Sequence, residues 1–263
     1  MALPPPLTLI PLTGIPLVKP DDDLAALIAT AVTTASASVS GDLRLANEDI
    51  LVVTHKIVSK AENRFVDLKT VQPSVPAVEL AERTKKDPRL VEVILWDTAE
   101  VLRARPRALI VRHRLGYISA NAGVDGSNVA EPEREMVLRL PADPDRSARR
   151  LRSRLQELTG VSPAIIISDS HGRPWREGTV GVAIGVAGLA PVQDLRGLPD
   201  LFGRKLAITT VGFADQVAAA ASLVSGQADE GLPVVWVRGL PYQRSEDASA
   251  RQILRPPETD LFR

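Results

Sequence analysis

Two aspartates offer the most direct chemistry in this sequence. Asp169 follows Ile165-Ile166-Ile167-Ser168 and precedes Ser170-His171-Gly172. A carboxylate ending an apolar strand and entering a glycine-containing turn is rigidly held, and it faces the edge where α/β sheets bind ligands. Asp125 lies in Asn121-Ala122-Gly123-Val124-Asp125-Gly126-Ser127-Asn128, whose small residues let a ligand approach the backbone. Each aspartate has two readings: a divalent-metal ligand, or a carboxylate that caps a helix or stabilises a turn, as most in such loops do. The histidines His55, His113 and His171 are widely spaced along the chain and form no H-x-x-x-H pair. A metal held here would therefore have oxygen ligands, which favours Mg²⁺ or Mn²⁺ over Zn²⁺. His113, within Val111-Arg112-His113-Arg114, reads as an ordinary strand residue.

Phosphate chemistry has weaker support. No G-x-x-x-x-G-K-[ST] loop is present, and no G-x-G-x-x-G joins a strand to a helix. Gly178, Gly181, Gly185 and Gly188 could bring amides to a phosphate, or could mark bulges and tight packing in a strand. Lys56 and Lys60 could neutralise phosphate, or lie solvated on the surface. Arg146, Arg149, Arg150, Arg152 and Arg154 read as a solvated helix face, with anion binding as the alternative. Ser170 lacks a G-x-S-x-G context, and the absence of cysteine removes thiol nucleophiles, disulfides and thiolate zinc sites together.

The elements that must position these groups follow from local patterns. Leu7–Leu12 reads as a strand entering the turn Thr13-Gly14-Ile15-Pro16, and Pro20-Asp21-Asp22-Asp23 opens an Ala/Leu-rich helix with acids at its positive end. Ile50–Val53 reads as a buried strand. Pro76 to about Trp96 has helical spacing, broken near Asp87-Pro88. Strands are expected at Leu109–Val111 and Tyr117–Ile118, then an amphipathic helix from Asp145 to Leu158 closed by Gly160. Further strands are expected at Ala164–Ile167, Val180–Val186, Ala207–Val211 and Val234–Val237, with a helix from Asp215 to Val224. Beyond Tyr242 the polar stretch ending in Arg255-Pro256-Pro257 reads as a loose tail. Interleaved strands and helices make the class α/β or α+β.

At 263 residues the chain can bury a substantial core. Basic and acidic residues balance at 32 each, so no global field draws in nucleic acid or an anionic membrane. Met1–Pro6 has no basic segment before an apolar run and does not read as a leader, and the Gly-rich Thr179–Val192 is too short to span a bilayer. The expectation is a cytoplasmic protein.

An ordered series of segments carries a resemblance. It comprises Pro11–Pro16, Asp49–Glu62 (with Val58-Ser59-Lys60-Ala61-Glu62), Asn121–Asn128 and Ser168-Asp169-Ser170-His171-Gly172-Arg173-Pro174. It continues through Gly178–Gly185, Asp215, Gly226-Gln227 and Val237-Arg238-Gly239-Leu240. In that order, from about Leu9 to Tyr242, the sequence resembles the coenzyme F420-0:L-glutamate ligases. The resemblance implies one ligase domain over 1–243 and a polar tail over 244–263. It also implies a family-specific α/β (α+β) fold of two interlocked subdomains in an intertwined homodimer. The implied activity is a GTP-dependent ligase that adds L-glutamate in γ-linked amide bonds to coenzyme F420-0, or to a dehydro precursor. An acyl phosphate would be the intermediate, and GDP and phosphate the products. By the same resemblance Asp125 and Asp169 would hold one divalent ion, Mg²⁺ or Mn²⁺, and would be the catalytic pair. Ser170, where the family more often has threonine, would hold a second with Gln227; K⁺ is a further candidate. Thr13, Gly14, Ile15, Pro16, His55, Lys60 and Asn128 would line the nucleotide. Two other readings use the same residues: a metal-dependent phosphohydrolase, and a non-catalytic nucleotide- or coenzyme-binding module.

Overall fold

The computed structural model describes residues 6–38, 43–130 and 134–260; Met1–Pro5 of the stretch read as leaderless, and Leu261–Arg263 of the tail, lie outside them. The chain opens with β1 (Thr8–Pro11) and α1 (Leu24–Ser38), and β2 (Ile50–Thr54) runs directly into α2 (His55–Ala61). An excursion follows: β3 (Phe65–Asp67), α3 (Val75–Thr84), α4 (Pro88–Trp96), β4 (Thr98–Arg105), β5 (Ala108–His113), β6 (Ile118–Ala120) and β7 (Met136–Leu138). The chain returns through α5 (Pro144–Thr159) to a hairpin of β8 (Ala164–Arg173) and β9 (Arg176–Ala187). The short strands β10 (Gln193–Asp194) and β11 (Thr210–Val211), then α6 (Phe213–Ser225) and β12 (Val234–Arg238), complete it.

The main sheet has the order β1-β12-β2-β8-β9, with β2 and β8 parallel and the other neighbours antiparallel. Its central strands are apolar on both faces because both faces are covered. Leu51, Val53, Ile165, Ile167 and Trp236 pack on one side with α1 and α5. Ile50, Val52, Ile166, Val235 and Val237 alternate onto the other side, against α6. Period-two alternation thus splits each apolar run between two cores. A third core, built from α3, α4 and β5, fills the excursion. The mixed α/β class agrees with the sequence reading.

The local signals for helix ends hold where their chemistry is explicit. Asp23 Oδ1 accepts from the Ala26 amide at the start of α1. Between α3 and α4, Lys85 turns left-handed and Asp87 caps the following proline-initiated helix. Gly160, left-handed, closes α5.

Three expectations need correction, and one strand was not expected. Asp169 does not end a strand: β8 continues to Arg173, because its polar half pairs with the start of β9 beyond the core. The strand expected over Ala207–Val211 shrinks to Thr210–Val211, which finds only Asp194 and Gln193 to pair with. No strand was expected over β4, because two register shifts, at Thr98–Glu100 and Val101–Arg103, break its period-two alternation. The expected loose tail is docked: Ala248 and Ala250 are 2% and 1% exposed. Asp145 at the start of α5 gathers that segment, accepting from Ser249 Oγ at 2.6 Å, Ala250 N at 3.0 Å and Val186 N of β9 at 2.9 Å.

Two glycines of β9, Gly181 and Gly185, are explained by packing, while Gly178 has open space around it and a positive φ. A Cβ on Gly185 would lie 2.5 Å from the Pro144 carbonyl, and one on Gly181 would lie 2.5 Å from the Ala218 carbonyl oxygen. The missing side chains let α5 and α6 approach the sheet on opposite sides. Gly185→Ala is therefore expected to destabilise the fold by about 2–3 kcal/mol, because α5 must retreat from the sheet. Chemical denaturation would measure it, and a wild-type midpoint would contradict the packing argument.

Candidate active site

The site forms where β2 and β8 run in parallel. Their register sets Thr54 beside Ser168, so His55, the first residue of α2, and Asp169 are neighbours across the strands. Just before the site, β9 carries one extra residue opposite the Ile167–Ser168 step, and the Ile184 carbonyl freed there accepts from the buried Tyr117 hydroxyl. Such a bulge re-aims the side chains that follow it.

Asp169 is bonded on both oxygens. His55 Nε2 lies 3.2 Å from Oδ1 and His171 Nε2 lies 2.9 Å from Oδ2, while the Ser170 amide donates to Oδ1 at 2.7 Å. Burial pushes this carboxyl up, but the charge of His55 and hydrogen bonds from His171 and His55 outweigh it and hold the group well below the usual range. The three histidines are thus dispersed in sequence but not all in space. Two converge on Asp169, while His113 sits buried on β5 and accepts from the Leu115 amide. The spacing Asp169-x-His171 within one strand puts both on the same face, and that signal was readable. The approach of His55 was not, because it depends on strand order.

Asp125 is positioned from the excursion. Its backbone forms an isolated bridge with Leu138, next to the β3–β7 pair that closes the excursion's base. Lys56 of α2 reaches its Oδ2 at 2.8 Å, and the Ser127 amide and hydroxyl donate at 2.7 and 3.1 Å. Burial raises this carboxyl too, and the Lys56 and Ser127 bonds more than reverse it, so it is lowered. One turn along α2, Lys60 donates to the Asn128 carbonyl at 2.6 Å, and Asn128 Nδ2 donates to the Ala228 carbonyl at 2.6 Å. Burial and the adjacent Lys56 ammonium pull the Lys60 pKa down. The two lysines are therefore part of the site wall rather than free surface charges.

After α6, Gly226 takes a left-handed φ of 74°, where a Cβ would lie 2.0 Å from the Glu230 carboxylate carbon. That turn delivers Gln227, whose Oε1 accepts from Ser170 Oγ at 2.7 Å. These segments enclose a cavity of about 460 Å³ lined by Ile15, Pro16, His55, Lys56, Lys60, Asp125, Asn128, Asp169, Ser170 and Gln227 among others. Thr13 and Gly14 precede this wall and are not among the lining residues. Lys56, Ser127 and Glu230 are lining residues that the sequence reading did not put in the site set. No group of three or more His, Cys, Asp or Glu among the described residues is arranged to hold a metal. A cation here would depend on hydroxyl and amide oxygens as well as carboxylates. The donors do fit a hard ion: Asp125, Asp169, Ser170 and Gln227 all border one cavity, and both carboxylates are held ionised.

The profile of the F420-0:Gamma-glutamyl ligase family matches residues 14–239, a span that contains every residue of this cavity. The chain belongs to that family. The coenzyme F420:L-glutamate ligase of Methanothermobacter thermautotrophicus is 47% identical over 258 residues, covering 98% of this chain and 99% of the relative. The protein of the same name from Methanopyrus kandleri is 49% identical, covering 94% and 93%. That of Archaeoglobus fulgidus is 40% identical, covering 96% and 95%. The family's likeness therefore extends over both the main sheet and the excursion, the two parts that meet at the cavity. No helix among the described residues is long and apolar enough to cross a membrane.

Proposed function

We propose that this chain is a ligase that joins L-glutamate to coenzyme F420-0, or to a dehydro precursor, at the expense of GTP. The observation that carries the reading is the cavity itself. In a chain of this family it brings two ionised carboxylates, Asp125 and Asp169, together with Lys56 and Lys60 on its wall. A carboxylate resists attack by an amine until its oxygen becomes a leaving group. A carboxylate oxygen of the coenzyme would attack the γ-phosphorus of GTP, the bond from that phosphorus to the β–γ bridging oxygen would break, and GDP would depart. The glutamate amine then adds to the acyl carbon, phosphate leaves with the electron pair of the C–O bond, and the amine gives up a proton. Further glutamates extend the chain through γ-linked amides.

The chain's own groups have separable tasks in this scheme. Lys56 and Lys60 place positive charge beside the phosphates, and Lys56 also ties α2 to the Asp125 loop by donating to the Ser127 carbonyl and hydroxyl. Ile15 and Pro16 give an apolar wall, and Asn128 fixes the loop that faces it. Asp125 and Asp169 would hold one Mg²⁺ or Mn²⁺, and Ser170 with Gln227 a second, with K⁺ as a further candidate. Ions bound there would neutralise phosphate charge during transfer. No covalent enzyme nucleophile is required, which accords with a chain lacking cysteine. The same lack accords with a cytoplasmic setting.

The deciding experiment is mass spectrometry of F420-0 incubated with protein, GTP, Mn²⁺ and L-glutamate. Glutamyl increments that require every component would establish the ligase. GTP consumption without increments would instead favour a phosphohydrolase, and tight GTP binding without turnover a binding module.

The working form proposed is a homodimer. The segment around β10 and β11 leaves Leu201, Phe202 and Ile208 at 99%, 96% and 87% exposure, more apolar surface than a monomer ordinarily leaves bare on one arm. Light scattering should give a dimer mass for the wild type and a monomer for Leu201→Ser with Phe202→Ser. A dimer of that double variant would rule out the arm as the contact.

A further inference from the structure

Asp169 can be accounted for lone pair by lone pair. An ionised carboxylate has about four acceptor positions, two on each oxygen. Oδ1 takes His55 Nε2 at 3.2 Å and the Ser170 amide at 2.7 Å, so both of its positions are used. Oδ2 takes His171 Nε2 at 2.9 Å, which leaves one position. Both rings lie largely out of solvent. His55 is 2% exposed, and while its Nε2 faces Asp169 its Nδ1 faces the fully buried Ser59 hydroxyl at 3.5 Å. The His171 and Asp169 side chains are each only 14% exposed, and β8 pairing with Val180 across the hairpin holds the His171 backbone.

We propose that His55 and His171 are a positioning pair that locks the Asp169 carboxylate and reserves a single acceptor position on Oδ2 for a divalent cation. The inference rests on the metal reading given above and adds who holds the ligand and through which oxygen. The geometry has a clear physical purpose. A lone aspartate on a strand samples several rotamers, and each cation bound must first select one. Two imidazoles approaching from different elements, α2 and β8 itself, remove that freedom before the cation arrives. Removing a group that orients a metal ligand in this way commonly costs about 10- to 100-fold in metal affinity.

The test is titration of the full-length protein with Mn²⁺ alone, read by electron paramagnetic resonance as loss of the free-ion signal, beside a thermal melt of each variant. His171→Phe removes the donor but keeps a ring in place, and it should weaken Mn²⁺ binding about 10- to 100-fold at an unchanged melting temperature. His171→Gln puts an amide N–H where Nε2 was, and it should restore affinity to within about threefold of wild type. Wild-type affinity in a folded His171→Phe protein would overturn the proposal, as would a His171→Gln variant no better than His171→Phe. Should His171→Phe lose its fold, His171→Ala serves in its place. If Asp169→Asn also binds Mn²⁺ like the wild type, Asp169 is not a ligand; the metal reading then falls, and the pair with it.

Discussion

Asp169→Asn is expected to lower GTP-dependent glutamyl transfer by about 10²- to 10³-fold, the cost of removing one charge that acts where phosphate charge develops. The protein should nevertheless fold. Asparagine is nearly isosteric, and its Oδ1 can still accept from the Ser170 amide and from one histidine. Its amide nitrogen would face the other ring, but a neutral imidazole can exchange tautomers and accept there instead of donating. A melting temperature near wild type with lost turnover separates a chemical role from a structural one. Wild-type turnover at ordinary metal concentrations would remove Asp169 from the mechanism. The mirror result, unfolding, would mean that the carboxylate is first of all a hub joining β8 to α2.

Asp145→Ala is expected to have the largest effect on stability, about 3–5 kcal/mol. The reason lies in what its oxygens satisfy. Oδ1 accepts two backbone amides, Val186 and Ala250, and Oδ2 accepts the Ser249 hydroxyl. Alanine would leave buried amides of β9 and of the C-terminal segment without partners, and buried unpaired donors cost far more than a lost surface bond. The melting temperature should fall by roughly 10 °C, and the segment from Ser249 to Leu254 should become open to proteolysis before the rest unfolds. A melt unchanged within about 2 °C would show that the docking of this segment is not coupled to the sheet. The test also decides whether the C-terminal segment should be regarded as part of the folded domain.

Much of this site was legible from short-range signals, and the reason differs from residue to residue. Asp125 and Asp169 stood out because small, turn-forming neighbours surround each of them. The helix ends were readable because capping is a contact within three or four residues, as Asp23, Asp87 and Gly160 show. Gly181 and Gly185 were ambiguous because a missing Cβ looks the same whether a phosphate or a helix fills the space; only the approach of Ala218 and Pro144 resolves it. Lys56 and Lys60 were ambiguous for a related reason. On α2 alone they are solvent-facing cations, and they become site residues only when the excursion folds back to set Ser127 and Asn128 against them.

The sequence by itself determined the mixed α/β class, the apolar strands, most helices and the family, since each depends on residue order or on contacts close along the chain. Only the tertiary structure decided that β8 carries Asp169 in mid-strand, that Asp145 anchors the C-terminal segment, and that two histidines share one carboxylate. His55 and Asp169 are separated by more than a hundred residues and meet because β2 and β8 pair in parallel at Thr54 and Ser168. Strand order and register are set by the burial of whole faces on both sides of the sheet, a sum over the entire chain that no local pattern contains.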